Sequence, residues 1–427
     1  MTTDTAVQGV EVRGIGSGGV GVGTLPDGRV VFLPRTAPGD RVLARLVRDK
    51  ARWARGEVVE VLRAGPGRRT PPCPRYGACD GCSLQHLEYG EQLGWKGRTV
   101  GETLRRIGGL ELEDPSVEAS PRELRYRNRM TFTLRRLPGG GVVAGLRELG
   151  RAGRVLDVGG ECLLPREELS RVWKDLRRSW GPGASFLPDG RELRLTLRQG
   201  DRGAALLIRG GRGDGRPAAL LEGAPGLGSV WRGLGNGTHK HMVGDGFLHV
   251  RWLGEQMELP GGGFLQVNRE AGEALHGYVM DEAGPVSELA VVDAYCGVGV
   301  LGRALAGRGA RVMGIEADPE AVAVAGTGAP EGFRVVEGRV EKVLGELLPA
   351  SLVILNPPRT GLEDGVPPLL RGQAVRRLIY ISCEPATLAR DLARLGDSFS
   401  LEAVRCFDLF PQTGHVETVA TLAGKEV

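Results

Sequence analysis

Three of the seven cysteines fall within ten residues in "CPRYGACDGC": Cys73, Cys79 and Cys82, a C-x5-C-x2-C run on a turn-rich stretch. Thiolates that close together, in a chain with no secretory pattern, point to a metal centre rather than to disulfides. Three ligands call for a fourth, and Cys162 in "GGECLLP" is the candidate. By spacing alone, four thiolates suit zinc and an iron–sulfur cluster equally well. Cys383 is of another kind. It closes the apolar run "RRLIYISC" just before Glu-Pro, which places it at the carboxyl end of a buried strand, the edge where open α/β sheets hold ligands. A thiolate there can face a bound cofactor, and the alternative is a small apolar residue that only packs. Cys296, in a glycine turn, and Cys406, in a predicted strand, read as packing residues.

The glycine turn is "VVDAYCGVGVLG". Asp293 ends a strand, and Gly297 and Gly299 let backbone approach a ligand before a helix begins. Glu316 ends the next strand, 23 residues after Asp293, where an acid suits a ribose diol. The last glycine of the dinucleotide fingerprint is missing, so a pyrophosphate cradle is not indicated. S-adenosylmethionine, which carries a ribose and no phosphate, fits better. "NPPR", Asn356 to Arg359, follows a later strand, and Asn/Asp-Pro-Pro there is a common methyltransferase feature at the reacting end of the cofactor. "FPQTGHVETVATL" opens the last strand with Glu417 near His415. Either can take a proton at the edge that holds Cys383, or either is a plain surface group at a strand start.

These residues need a scaffold. At 427 residues, with 41% hydrophobic and 25% charged, the chain has the material for two or three folded domains. Residues 9–63 read as short strands broken by glycines, with Asp27-Gly28 as a hairpin turn. Five such strands suggest a small barrel of a kind that commonly binds oligonucleotides. "AGPGRRTPPCP" reads as a linker, and residues 89–108 have helical spacing. Residues 120 to about 255 are mostly strand-like. After Pro260, apolar strands alternate with helices, the pattern of a parallel sheet covered on both faces.

Net charge is only +4, but it is unevenly placed. From Ser120 to Val155 nine arginines face two acids, net +7, and residues 1–70 carry twelve cations against seven acids, net +5. Two basic tracts suit a phosphate backbone as partner, although solvated arginine faces look the same in sequence. There is no basic-then-apolar leader and no apolar run long enough to span a bilayer, so a soluble cytoplasmic protein is expected, with no membrane partner.

With "PGDRV", "CPRYGACDGCSLQHLEY", "YRNRM", "FLQVN", "DAYCGVG", "NPPR", "SCEPATLARDL" and "FPQTGHVE" in this order, the chain resembles the RNA uracil-5-methyltransferase family over nearly its whole length. The likeness is to members with an N-terminal TRAM domain and an iron–sulfur cluster. The resemblance implies a multidomain chain: an OB-like TRAM β-barrel at 1–64, a central β-rich iron–sulfur domain at 65–255, and a class I, Rossmann-like α/β methyltransferase domain at 256–427. It implies that the helical segment near 89–110 packs on the catalytic domain. It further implies Cys383 as nucleophile, Glu417 as general base, and cofactor contacts at Gln266, Tyr295, Glu316 and Asn356. Cys73, Cys79, Cys82 and Cys162 become ligands of a [4Fe-4S] cluster. The implied partner is RNA, 23S ribosomal RNA before tRNA, carrying an unpaired or flipped uridine, with the enzyme a monomer. Three positions depart from the family's usual residues: Asn356 replaces Asp, Glu384 replaces Asn, and Val300 stands where Asn often closes the glycine turn.

Overall fold

The computed structural model describes residues 7–425 except 152, 236, 373 and 374, so the first six residues and the last two of the divisions above lie outside it. Strands Val7–Gly16, Val20–Thr24, Val30–Pro34, Trp53–Arg63 and Arg41–Asp49 close, in that order, into a barrel. Alternation decides which side chains fill it: Val10, Val12, Val31, Leu33, Val42 and Ala44 point inward. Gly28, at φ 87°, makes the turn that Asp27-Gly28 announces. The Pro/Gly-rich stretch after the barrel is fastened rather than free. Buried Asp40 accepts from Gly65 N at 2.8 Å, Ala37 N at 2.6 Å and Arg68 Nη2 at 2.6 Å, and the paired guanidinium and backbone donors hold its carboxyl below the usual range against the penalty of burial.

The second sheet has seven strands in the order His239–Gly244, Leu227–Gly233, Ala204–Arg209, Glu192–Gln199, Arg129–Arg136, Val142–Arg147 and Val155–Asp157. One face carries Phe132, Leu195 and Leu206 and packs under helix Glu167–Ser179. The sequence reading of this region as mostly strands missed that helix. Its signal is the spacing of Leu169, Val172, Trp173 and Leu176, which are all buried.

The third unit is an eight-stranded sheet in the order Phe333–Glu337, Arg311–Glu316, Ala290–Ala294, Ala350–Leu355, Val375–Ser382, Glu417–Gly424, Phe399–Phe407 and Val117–Glu118. The first five run parallel; Glu417–Gly424 returns antiparallel to Val375–Ser382. Apolar clusters cover both faces, one built on Leu355, Tyr380 and Leu388, the other on Leu275, Leu305 and Ile379. Helix Tyr89–Gly108 adds Val100 and Leu104 to the first of these, and Val117–Glu118 pairs with Phe399–Phe407. A segment distant in sequence is thereby built into this unit. Among the described residues, no helix is long and apolar enough to cross a membrane.

Candidate active site

Gln266, Tyr295, Glu316, Asn356, Cys383 and Glu417 all line one cavity of about 940 Å3 at the carboxyl edge of the parallel strands. Register explains the convergence. Ala294 pairs with Leu355 and Leu355 with Tyr380, so the residues just beyond, Tyr295 and Asn356, leave their strands at one level. Ser382 pairs with Thr418. The next step along that antiparallel ladder sets Cys383 opposite Glu417, because the returning strand begins where the parallel strand ends.

The glycine turn supplies the other wall. Gly297 and Gly299 have φ of 57° and 79°, and Gly299 caps helix Val300–Gly307. A Cβ at Gly297 would meet nothing within 4 Å, so the backbone there is open to a ligand. Asp293 Oδ2 accepts from Gly302 N at 2.8 Å, and burial pushes this carboxyl up to about 7. Glu316 accepts from Gly297 N at 2.9 Å, Ala317 N at 2.7 Å and Asp318 N at 2.8 Å, which fixes its carboxylate at the strand end. Tyr295, held at φ 61°, donates its hydroxyl to Glu363.

Electrostatics single out the Cys383–Glu417 pair. Burial pushes Glu417 up to about 8, with the nearby Arg359 cation pulling the other way. Burial also raises the Cys383 thiol, the Glu417 carboxylate adds to this, and Arg359 opposes both by its charge and a hydrogen bond. Arg359 lies in the quoted "NPPR" motif, yet sequence reasoning gave it no role. Its place two residues past Pro357, beyond the end of a strand at the ligand edge, was the available signal.

Residues 338–425 match the tRNA (uracil-5-)-methyltransferase family and residues 3–59 match the TRAM domain. The chain is 30% identical to an uncharacterized RNA methyltransferase of Halalkalibacterium halodurans, over 97% of this chain and 96% of that protein. Another, from Gloeobacter violaceus, is 33% identical over 97% and 95%. Among solved structures, the Pyrococcus abyssi tRNA (uracil-54, C5)-methyltransferase in complex with S-adenosyl-L-homocysteine aligns with a TM-score of 0.76 at 25% identity, covering 97% of this chain and 99% of that one. The chain belongs to the RNA uracil-5-methyltransferase family.

Two motifs of this uracil-5-methyltransferase, one with no assigned chemistry and one carrying Gln266, interlock beside the cavity. Asn128, in "YRNRM", donates its side-chain amide to Gln266 O at 3.0 Å and its backbone N–H to Val267 O at 2.8 Å, in "FLQVN". Asn268 caps helix Arg269–Ala283 and donates to Ser120 Oγ at 2.9 Å. The basic tract is thus tied to the segment that carries Gln266.

Cys73, Cys79, Cys82 and Cys162 line a second cavity of about 70 Å3. Burial pushes Cys82 up to about 12 and Cys162 to about 11, and each is raised further by other thiols of the set. Among the described residues no three Cys, His, Asp or Glu side chains converge closely enough to hold a single metal ion. The four sulfurs instead surround a space. Gly81 N donates to Cys79 Sγ at 3.3 Å and Gln85 Nε2 to Cys82 Sγ at 3.2 Å, and Arg127 lines the same cavity. Two donors and a cation thus lie beside sulfurs whose burial favours the protonated thiol.

Proposed function

We propose that the protein methylates carbon 5 of a uridine in RNA, with Cys383 as nucleophile and Glu417 as general base. The observation that carries this reading is that Cys383 and Glu417, each one residue past the Ser382–Thr418 pair, lie beside Arg359 on the wall of the large cavity. Carbon 5 of uracil is a poor nucleophile. The Cys383 thiolate forms a bond to carbon 6, and the ring becomes an enolate with electron density at carbon 5. Bound S-adenosylmethionine supplies the methyl group that carbon 5 takes. Glu417, as carboxylate, removes the carbon 5 proton; the sulfur–carbon bond breaks, the ring double bond returns and the thiolate leaves. A thiolate suits both halves because it attacks near neutral pH and also leaves readily. In this reading Glu316 takes the cofactor ribose, and Gln266, Tyr295 and Asn356 the remainder of the cofactor. In Asn356 an amide replaces the family's usual carboxylate and retains hydrogen-bonding capacity.

Cys73, Cys79, Cys82 and Cys162 are proposed to hold a [4Fe-4S] cluster that organises the loop carrying them. Iron and acid-labile sulfide in anaerobically purified protein, absent from Cys82→Ser, test this. The proposed division of labour gives RNA contact to the barrel at 1–64 and the central part at 65–255, and methyl transfer to 256–427. The barrel beside a four-cysteine set supports 23S ribosomal RNA as substrate. The likeness to the Pyrococcus enzyme, whose substrate is a tRNA, supports tRNA as the second reading. Methyl transfer from labelled S-adenosylmethionine to unmodified ribosomal RNA and tRNA, in parallel with Cys383→Ala, decides. Label at carbon 5 of uridine that vanishes in the variant supports the chemistry, and the RNA that carries it names the substrate. Label persisting in the variant overturns the nucleophile.

A further inference from the structure

The seven-stranded sheet buries one face under helices; on its other face Ala205, Leu207 and Trp231 pack with Leu248, Val250 and Trp252, and cations lie beside that apolar patch. Arg198 and Arg129 are register partners, as are Arg194 and Arg209. With Thr131 and Thr196, hydrogen-bonded at 2.9 Å between them, they share one side of the sheet because side chains alternate along each strand. Arg194 and Arg209 are exposed and Arg129 is half-buried, whereas Arg198 is only 5% exposed. The Nη1 of Arg198 has no hydrogen-bond partner among the described residues. Its charged neighbours are Arg129 and Arg209, both cations that disfavour its charge, as burial does. A buried guanidinium without an acceptor is costly, and such a group in a native fold calls for an explanation.

The carboxylate that acts on Arg209 is already committed. Glu320 accepts from His239 N at 2.7 Å and pairs with His239 Nδ1 at 2.5 Å. Arg209 Nη2 lies 2.8 Å from His239 Nε2; a guanidinium only donates, so Nε2 accepts and Nδ1 carries the proton toward Glu320. Glu320 and Arg129 both line the large cavity, as does Phe264, which is 56% exposed with the Arg129 guanidinium 5.9 Å from its ring. The cationic face therefore begins at the cavity mouth and runs outward, over about 13 Å from residue 198 to residue 194 at the usual strand rise. That reach suits consecutive phosphates of a strand rather than one small anion.

The geometry points to a phosphodiester-binding track formed by Arg129, Arg198, Arg194 and Arg209, which holds the RNA backbone next to the nucleotide inserted into the cavity and gives Arg198 Nη1 an acceptor. This rests on the reading above that RNA is the substrate. Guanidinium forks match phosphate oxygens two at a time, which makes arginine the expected residue for the task.

Arg198→Gln and Arg209→Gln test it in the full-length protein, with anisotropy of a labelled single-stranded, uridine-containing RNA measured over a salt series. Each variant is expected to weaken RNA binding about tenfold at low salt, the effect of removing one charge-assisted hydrogen bond. The slope of log affinity against log salt becomes shallower by about 0.7 for each phosphate that is no longer neutralised. Affinity for S-adenosylmethionine is unchanged. The Tm of free Arg198→Gln protein is not lowered, because the buried Nη1 removed has no partner among the described residues; a purely structural role would lower it. Unchanged RNA affinity and salt slope, a loss of cofactor affinity instead, or a falling Tm overturns the track. Inorganic phosphate competing equally in wild type and both variants overturns it too. Wild-type protein that binds RNA with these effects but methylates no uridine overturns the proposed reaction and leaves the track standing.

Discussion

Replacing Glu417 with Gln separates the base from the fold. The Glu417 carboxyl is buried, 4% exposed, and pushed from its ordinary 4.5 up to about 8. A carboxyl whose folded value lies above its unfolded value favours the fold while protonated. That contribution is complete below pH 4.5 and is lost as the pH rises through 8, where the buried group must ionise. At about 1.36 kcal/mol per pH step, the interval from 4.5 to 8 amounts to at most about 5 kcal/mol. Roughly 4 kcal/mol of this falls between pH 5 and pH 9, with the Arg359 cation already included in the balance. Gln has nearly the same shape and does not ionise. The variant should therefore gain on wild type as pH rises, its Tm drawing ahead from pH 5 to about pH 8 and levelling off by pH 9 in parallel thermal melts. The comparison cancels the titrating groups that Glu417 does not act on; Cys383, which its charge raises, is the exception. On the chemical side, Glu417→Gln should still form the Cys383–RNA bond and accept the methyl group but fail to release it, so a covalent complex accumulates that resists denaturing electrophoresis. In wild type, turnover should climb with pH through about 8 as the base ionises. A Tm difference that does not change with pH would refute the burial argument. Rapid release of methylated RNA by the variant would refute the assignment of the base.

Arg359→Gln removes the cation that opposes both raised pKa values, so alkylation of Cys383 by iodoacetamide should slow at pH 7.5 and its midpoint should move to higher pH; an unchanged profile would show that the guanidinium does not reach the sulfur. Lys96→Met should destabilise the protein by about 3–5 kcal/mol in denaturant titration, because Asp408, bonded to Lys96 Nζ at 2.6 Å, is left buried and unpaired. Adding Asp408→Asn should recover most of that loss. Ala at Gly302 would put its Cβ 2.3 Å from Phe333; expanding this tight approach should lower the Tm and weaken cofactor binding together, as read by calorimetry.

The residues that shape the cavity were readable because each announces itself locally. Asp293, Gly297 and Gly299 mark a strand-turn-helix by their types, and Cys383 and Glu417 end and begin apolar runs. Their proximity was not readable from those runs. It depends on the final strand returning antiparallel beside Val375–Ser382, a pairing that involves no short-range signal. Helix Glu167–Ser179 was missed in a region whose β-branched and arginine-rich runs dominated the reading, even though its own apolar spacing is helical. Arg198 shows a further limit. In sequence it is one arginine among 56 cations; only the packed sheet shows that it is buried, flanked by cations and, among the described residues, without an acceptor at Nη1.

What places Glu417 is a second long-range assembly, centred five residues upstream on Gln412. This residue is fully buried and adopts φ 70°, a left-handed conformation that a non-glycine residue keeps only when its surroundings impose it. Its carbonyl accepts from Ser83 N and Leu84 N, both at 3.0 Å, directly beside Cys82. Its backbone N–H donates to Gln92 Oε1 at 3.0 Å, on the helix Tyr89–Gly108. Its side chain accepts from Arg69 Nη2 at 3.2 Å and Gln92 Nε2 at 3.1 Å and donates to Glu123 Oε2 at 3.3 Å. Gly414 donates to Ser83 Oγ at 3.0 Å and bridges to Gly18 of the barrel, so closely that a Cβ there would sit 2.3 Å from Gly18 C. The barrel, the cysteine loop, the long helix and the basic tract thus all close on one loop, and that loop leads directly into the strand headed by Glu417. Sequence distance between these segments is then the reason for the architecture rather than an accident of it. A carboxylate buried on the sheet edge beside Cys383 needs its approach fixed from outside the sheet, and the parts proposed to meet RNA are the ones that fix it.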